Sequence, residues 1–276
     1  MSQDIKLIQI GAGAMGGALL KSWVSAGLLD AGGSAIVDPM PSEDIQALCE
    51  KAGLSINPED SGGYDVCLLA VKPQMFSDVL PTLDWHGIED TLFVSIAAGV
   101  TSSEIAMLLK EHAPKAKVLR VMPSLPAQVG RGVTLLSEDP NLSPADRDLG
   151  ERLMQAASGA VHWCRSEDEL DRLMGVTGCA PAFLLNAVEG LILAAEDQGA
   201  SPDVARRLAE ETFYGTAALL EADDRPPSDL RAAVTSKGGT TAAGLEVLAE
   251  AGFSESLKAA VEGAYQRAKA LASGPS

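Results

Sequence analysis

The sequence predicts an α/β fold: an N-terminal Rossmann-type doubly wound sheet followed by an all-helical domain. Three observations predict it. First, a strand-like run over residues 6–10 leads into Gly11-Ala12-Gly13-Ala14-Met15-Gly16, a G-x-G-x-x-G spacing, and Asp38 closes a second strand 22 residues after Gly16. Second, short apolar strands then alternate with helical stretches as far as Cys164. Third, no strand pattern remains after about Ser166, and helices run to the end. These place the domain boundary between residues 165 and 166, giving 1–165 as a dinucleotide-binding domain and 166–276 as a helical one.

In the first segment the glycines permit a tight turn, let backbone approach a pyrophosphate and allow a helix to pack closely on a strand. Gly11 to Gly16 are therefore candidate cofactor contacts. The helix expected over residues 14–26 turns Leu19, Leu20 and Trp23 inward. Asp38, after the strand expected over residues 34–37, is the candidate acceptor for ribose hydroxyls. Residues 64–71 are continuously apolar, as a buried parallel strand is, and Pro73 opens a helix after them. Residues 91–98 form the next strand, ahead of a helix over 102–112. Residues 117–122 follow, stopped by Pro123 and Pro126, and 132–136 and 161–164 flank a helix over 144–157. Ligands of doubly wound sheets bind at the carboxyl ends of strands. Ala70, Val71, Lys72, Ala97, Ala98, Met122 and Pro123 are thus expected to ring one cofactor site.

Composition excludes several classes. The chain has 276 residues, with 38 acidic against 21 basic and a formal charge of −17. Such a surface disfavours nucleic acid and anionic membranes, and an anionic substrate has to be drawn in by a local site. No uncharged apolar run of about 18 residues occurs, so no membrane span is expected; the nearest approach, residues 183–195, contains Asn186 and Glu189. The N-terminus enters a strand without a secretory signal, and Cys49, Cys67, Cys164 and Cys179 lack metal-type spacing. His86, His112 and His162 are equally isolated, so no metal is expected. Reduced thiols and a cytoplasmic location follow. Aromatic residues are 4% of the chain, leaving Ala, Leu, Val and Gly to do most of the packing.

In the helical part, residues 181–198 are apolar on nearly every face and need neighbours on all sides, which predicts a dimer. Leu257, Val261, Ala264, Ala268 and Leu271 recur at helical steps as a packing seam. Residues 222–227 are expected to form a loop or kink, and residues 273–276 a frayed tail. Between them lies a stretch with a chemical signature. Ala232, Ala233 and Val234 lead into a polar turn of Thr235, Ser236, Lys237, Gly238 and Gly239, and a helix then starts at Thr240 and Thr241. A helix N-terminus offers free N–H groups and a favourable dipole to a carboxylate or phosphate, and the paired glycines leave the approach clear.

These residues resemble pyrroline-5-carboxylate reductases over nearly the whole chain. The most specific match runs through Pro227-Ser-Asp-Leu230 and Val234-Thr-Ser-Lys-Gly-Gly-Thr-Thr241 to Gly244, Leu245 and Leu248. Gly11 to Gly16, Ala70-Val-Lys-Pro-Gln74, Ser95-Ile-Ala-Ala-Gly-Val100 and Arg120-Val-Met-Pro123 match further family segments in order. The chain departs from the family at Ser124, where asparagine is usual, and at Cys179 and Phe183, where serine and tyrosine are usual. The resemblance implies a helical domain that interlocks with its partner's in a homodimer, with higher assembly from dimers known in the family. It implies reduction of 1-pyrroline-5-carboxylate, a cyclic imine with a carboxylate, to L-proline in the last step of proline synthesis. It puts the carboxylate on the N–H groups around Gly238, Gly239 and Thr240. Thr241 is assigned to hydrogen-bond or protonate the imine nitrogen, with Ser236 beside it and Val234 lining the pocket. The nicotinamide is assigned to Ala97, Ala98 and Met122.

Asp38 favours NAD(H) over NADP(H) as cofactor, because a 2′-phosphate would meet its carboxylate and no lysine or arginine follows before Lys51. Two other readings stay open. In a β-hydroxyacid dehydrogenase a lysine of the helical domain acts as acid and base, but no lysine of that region precedes Lys237, and Lys72 follows a Rossmann strand. A non-catalytic dinucleotide-binding redox sensor would show no turnover.

Overall fold

The computed structural model describes residues 4–59, 63–82 and 87–272, without the side chains of residues 82, 271 and 272. His86, the Leu271 side chain and the tail at 273–276 lie outside the described residues. The chain divides into two compact units, Met1–Cys179 with Glu262–Ser276 and, separately, Ala180–Val261.

The first unit is built on eight strands in the order β3-β2-β1-β4-β5-β6-β7-β8. They are β1 Leu7–Ile10, β2 Ala35–Val37, β3 Ser55–Ile56, β4 Val66–Leu69, β5 Leu92–Ser95, β6 Lys117–Met122, β7 Val133–Ser137 and β8 Ala160–Cys164. All neighbours are parallel except β6 and β7. Parallel strands are covered on both faces, which is why β1, β4 and β5 are apolar without alternation and fully buried. Leu7, Leu68 and Val94 face one layer, made by α1 (Ala14–Ser25), α2 (Glu43–Ala52) and α5 (Pro144–Ala157). Ile8, Leu69 and Phe93 face the other, which includes Phe76 at the start of α3 (Phe76–Val79) and Ile105 of α4 (Ser102–Leu108). Trp23, fully buried, donates its indole N–H to the Leu153 carbonyl of α5 at 2.7 Å, so its polar atom is satisfied in the core.

The contact-defined boundary differs from 165/166. Helix α6 (Glu167–Met174) buries Leu170 and Met174 against Leu135 and Cys164 of β7 and β8, and a π-helical turn, Gly175–Cys179, ends the unit. The end of α11 (Phe253–Ala272) belongs here too: Ala268 packs with Met122 and Met174, and the Tyr265 hydroxyl donates to Asp168 at 2.6 Å. That hydrogen bond, reinforced by Arg172, holds the Asp168 carboxyl below the usual carboxylate range. The expected seam on α11 is thus buried at Ala268, whereas Leu257 is exposed. The helix expected over 102–112 is shorter, and Pro73 opens a 3-10 turn, Pro73–Met75, before α3.

Arg120 of β6 is 2% exposed, yet charged. Its guanidinium donates to Glu167 at 3.1 Å and Asp171 at 2.8 Å on α6, and Glu167 also accepts the Ser102 N–H that opens α4. A buried charge is tolerated only with such partners, so this cluster ties β6 to α4 and α6.

The second unit is helical: α7 Ala180–Asp197, α8 Pro202–Ala222, α9 Pro227–Ala233, α10 Thr240–Glu250 and the first part of α11. Helix α7 is as apolar as its sequence, but only Val188 on it is buried. By length and composition alone the helical run Glu167–Asp197 is long and apolar enough to cross a membrane, and 6% of its most apolar window is buried within the chain.

Candidate active site

The expected cofactor loop forms where the sheet order reverses, with β1 between β2 and β4. The Gly11 N–H donates to the Val37 carbonyl and the Ala70 N–H to the Ile10 carbonyl, both at 2.8 Å, so the loop is tied to both neighbouring strands. Its three glycines differ in what a side chain would meet. Gly11 has φ +91°, and a Cβ there would lie 2.8 Å from Val71 and 3.0 Å from the Ala70 carbonyl. At Gly16 a Cβ would lie 2.8 Å from the Gly11 carbonyl, closing the space between α1 and the strand. At Gly13 it would meet nothing within 4 Å. Gly11 makes the turn, Gly16 makes the packing and Gly13 leaves an open approach to the N-terminus of α1, which suits a dinucleotide pyrophosphate.

Asp38 is locked to this loop. One carboxylate oxygen accepts the Ala12 N–H at 2.8 Å, the other the Met40 N–H at 2.9 Å. Asp38 does not cap α2; Ser42 does, accepting from Ile45. A cleft of about 500 Å³ runs along this face, lined by Gly13, Gly17, Lys21, Asp38, Met40 and Gln128 among others. Lys21 corrects the expectation that no cation stands near Asp38. It lies on α1 two turns beyond Gly13 and Ala14, on the face that Gly17 and Ala18 also occupy, and reaches the cleft from there. Its ammonium pairs with Asp44 at 3.7 Å through side chains 52% and 84% exposed, a weak, solvent-screened contact. The signal was in the sequence: residues at i, i+4 and i+8 share a helix face, as Gly13, Gly17 and Lys21 do.

The remaining candidates of this unit do not all converge. Ala70 and Val71 stand against Gly11, while Lys72 is exposed beyond them. Ala98 and Met122 share one apolar cluster, but the Ala97 side chain packs into a different one, on the Ile105 side of the sheet. Met15 packs against the core. Pro123 is buried after Met122, and Ser124 next to it accepts the Val133 N–H at 2.9 Å, so the serine holds backbone in this chain. Among the described residues, no group of three His, Cys, Asp or Glu is placed to hold a metal ion.

In the second unit, Val234 ends α9 and the turn delivers the chain to α10, whose N-cap is Gly239 with no side-chain cap. The Ala243 N–H bonds the Gly239 carbonyl at 3.2 Å. The N–H groups of Thr240, Thr241 and Ala242 precede it and have no carbonyl within the helix to bond. Thr240, Thr241 and Ser236 are exposed. Of the paired glycines, Gly239 is extended at φ −81° and Gly238 carries the left-handed φ of +71°. Gly239 is small for another reason, since a Cβ there would overlap the Ser236 hydroxyl. Together the turn presents hydroxyls and N–H donors around an open helix start, fit for a carboxylate.

Comparison with known proteins adds the family. Residues 167–271 match the model of the pyrroline-5-carboxylate reductase dimerisation domain, and residues 6–99 that of the coenzyme F420-dependent NADP oxidoreductases. The chain is 31% identical to the pyrroline-5-carboxylate reductase of Staphylococcus aureus, covering 94% of this chain and 96% of that one. It is 32% identical to the Methanosarcina acetivorans enzyme over 98% of both. Its fold superposes on the Coxiella burnetii pyrroline-5-carboxylate reductase with TM-score 0.83 at 28% identity, covering 98% and 99% of the two chains. A Plasmodium falciparum pyrroline carboxylate reductase with NADP bound shares the fold at TM-score 0.82 and 24% identity, over 99% and 100%. A glycine loop with an anchored acid, a helix start flanked by threonines and relatives matching from end to end leave one assignment: this chain belongs to the pyrroline-5-carboxylate reductase family.

Proposed function

We propose that the protein reduces 1-pyrroline-5-carboxylate to L-proline with NAD(P)H, the last step of proline synthesis, as a homodimer. The observation that carries this reading is the uncapped start of α10, where N–H donors and the Thr241 hydroxyl stand together in a chain of this family. The free N–H groups at the helix start around Gly238, Gly239 and Thr240, those of Thr240 and Thr241, hold the substrate carboxylate. The Thr241 hydroxyl holds the imine nitrogen and supplies or relays its proton, Ser236 supports that contact, and Val234 and Gly238 shape the pocket. The bound nicotinamide cofactor supplies hydride to the imine carbon. A protonated imine already draws hydride, so the residues chiefly orient the substrate.

Gly11 to Gly16 hold the pyrophosphate of the cofactor, with Ala70, Val71 and Lys72 alongside and Ala97, Ala98, Met122 and Pro123 nearer the nicotinamide. Asp38 takes the ribose hydroxyls. Two backbone N–H groups keep its carboxylate in place, which favours NADH over NADPH; Lys21, in the same cleft, limits that preference. Residues 1–165 act as the cofactor-binding domain and 166–276 as the dimerisation and substrate domain, with dimers able to build a higher assembly. The apolar faces of α7 meet a partner subunit and not lipid, and the enzyme works in the cytoplasm. Purified protein is mixed with 1-pyrroline-5-carboxylate and NADH, then with NADPH, following cofactor absorbance and proline. Proline formed in step with cofactor oxidation, with the larger kcat/KM for NADH, is the expected result. Binding of dinucleotide without proline would sink the enzymatic reading, and a larger kcat/KM with NADPH would sink the reading of Asp38.

A further inference from the structure

Asn57 stands outside every motif, yet its geometry is unusual. Among the described residues it alone has positive φ without being glycine, at 49°. Left-handed backbone costs about 1 kcal/mol even for asparagine's more tolerant side chain, so something in the surroundings has to hold it there. The contacts show what does. The Asn57 side-chain carbonyl accepts the Asp38 N–H at 2.9 Å, and its amide donates to the Asp38 carbonyl, also at 2.9 Å. Its own N–H donates to the Ile36 carbonyl at 2.8 Å, continuing the β2–β3 ladder by one step. The side chain thus pairs with both polar groups of the Asp38 backbone, as a neighbouring strand would, at the point where β3 has ended. At this left-handed turn the amide lies alongside the Asp38 backbone.

We infer that Asn57 is a positioning residue for cofactor discrimination, holding the Asp38 backbone so that its carboxylate stays at the ribose subsite. The inference rests on the reading of Asp38 given above. Asp38 is held at three places: its backbone by Asn57, and its two carboxylate oxygens by Ala12 and Met40. Without the backbone pairing, the segment after β2 can turn the carboxylate aside and admit a 2′-phosphate toward Lys21. Discrimination then falls while the fold stands.

Asn57→Gly tests this, because glycine accepts the same φ and removes only the paired amide. Dissociation constants for NADH and NADPH are measured by calorimetry on wild type, Asn57→Gly, Asp38→Ser and the double variant, with thermal melts alongside. The loss of two backbone-directed hydrogen bonds predicts about a tenfold fall in the NADPH-to-NADH ratio of Kd in Asn57→Gly, at a melting temperature near wild type. In the Asp38→Ser background the same substitution should leave the ratio unchanged. A preference abolished by Asp38→Ser but retained in Asn57→Gly would overturn this inference alone. So would an equal ratio change with and without Asp38, or collapse of the fold in Asn57→Gly. A wild type that binds NADPH more tightly would overturn the reading of Asp38 and this inference together.

Discussion

The two units place their apolar side chains in opposite ways. In the first, strands and helices bury Ile8, Trp23, Leu68, Phe93, Leu119 and many others completely, and the buried Arg120 has two carboxylate partners. In the second, Ala180–Val261, the buried apolar residues are Val188, Ala205, Ala209 and Leu230. Leu184, Leu185, Leu191, Leu193 and Leu208 are each close to half exposed or more. One valine, one leucine and two alanines bury too little apolar surface to offset the backbone entropy of ordering a segment of this length, about 1–2 kcal/mol per residue. The first unit has the burial a self-sufficient domain needs. The second has the surface of half a core, and its stability has to come from a partner subunit.

The largest effect should come from breaking that dependence. Leu184→Glu with Leu191→Glu puts two charges on α7 where a partner's surface is expected. Each leucine contributes about 1.5–3 kcal/mol when buried, so the dimer dissociation constant should rise about 10³-fold or more. Sedimentation velocity across a dilution series reads this, and an unchanged dimer would remove the contrast drawn between the units. Next in size is a change that strikes the first unit where its core is charged. Arg120→Ala strands Glu167 and Asp171 and should cost about 3–5 kcal/mol in urea unfolding. A loss under 1 kcal/mol would mean the cluster is better solvated than its burial suggests.

Third, Thr241→Ala takes a hydroxyl from a unit with little core, so its cost should fall on chemistry and not on folding. Turnover should drop roughly 10²-fold with cofactor affinity nearly unchanged. Near-normal kcat at saturating substrate would exclude the proposed role. The smallest effect expected is at Gly238. Alanine at φ +71° should cost about 1–2 kcal/mol locally. Because the turn sets up the start of α10, the KM for pyrroline-5-carboxylate should rise several-fold while the first unit's melting stays put. Unchanged KM would show the turn to be indifferent to the substrate.

Much of this was legible in the residues, for reasons that lie close to the chain. The Gly11–Gly16 loop, Asp38 at the end of β2, and Thr240 and Thr241 at the start of α10 are local signals, since the turn, the strand end and the helix start are set by neighbours in sequence. The all-round apolar character of α7 likewise foretold a missing partner. Other features depend on which segments the fold brings side by side. The compact first unit runs past residue 165 because α6, helical like the residues after it, packs on β7 and β8, and periodicity does not say which surface a helix meets. Ala97 parted from Ala98 and Met122 because β5 ends at Ser95 and the chain turns at Ala98 and Gly99, so neighbouring residues pack into different clusters. Lys21 reaches the Asp38 cleft from α1, two helical turns past the glycine loop and not from the residues that follow Asp38 in the chain. By itself the sequence determined the strand segments, the glycine loop and the hydroxyl-flanked helix start, since each rests on a pattern a few residues long. Only the tertiary structure decided what surrounds Asp38: the left-handed turn at Asn57 and a charge arriving from α1 are set by segments that the fold brings together.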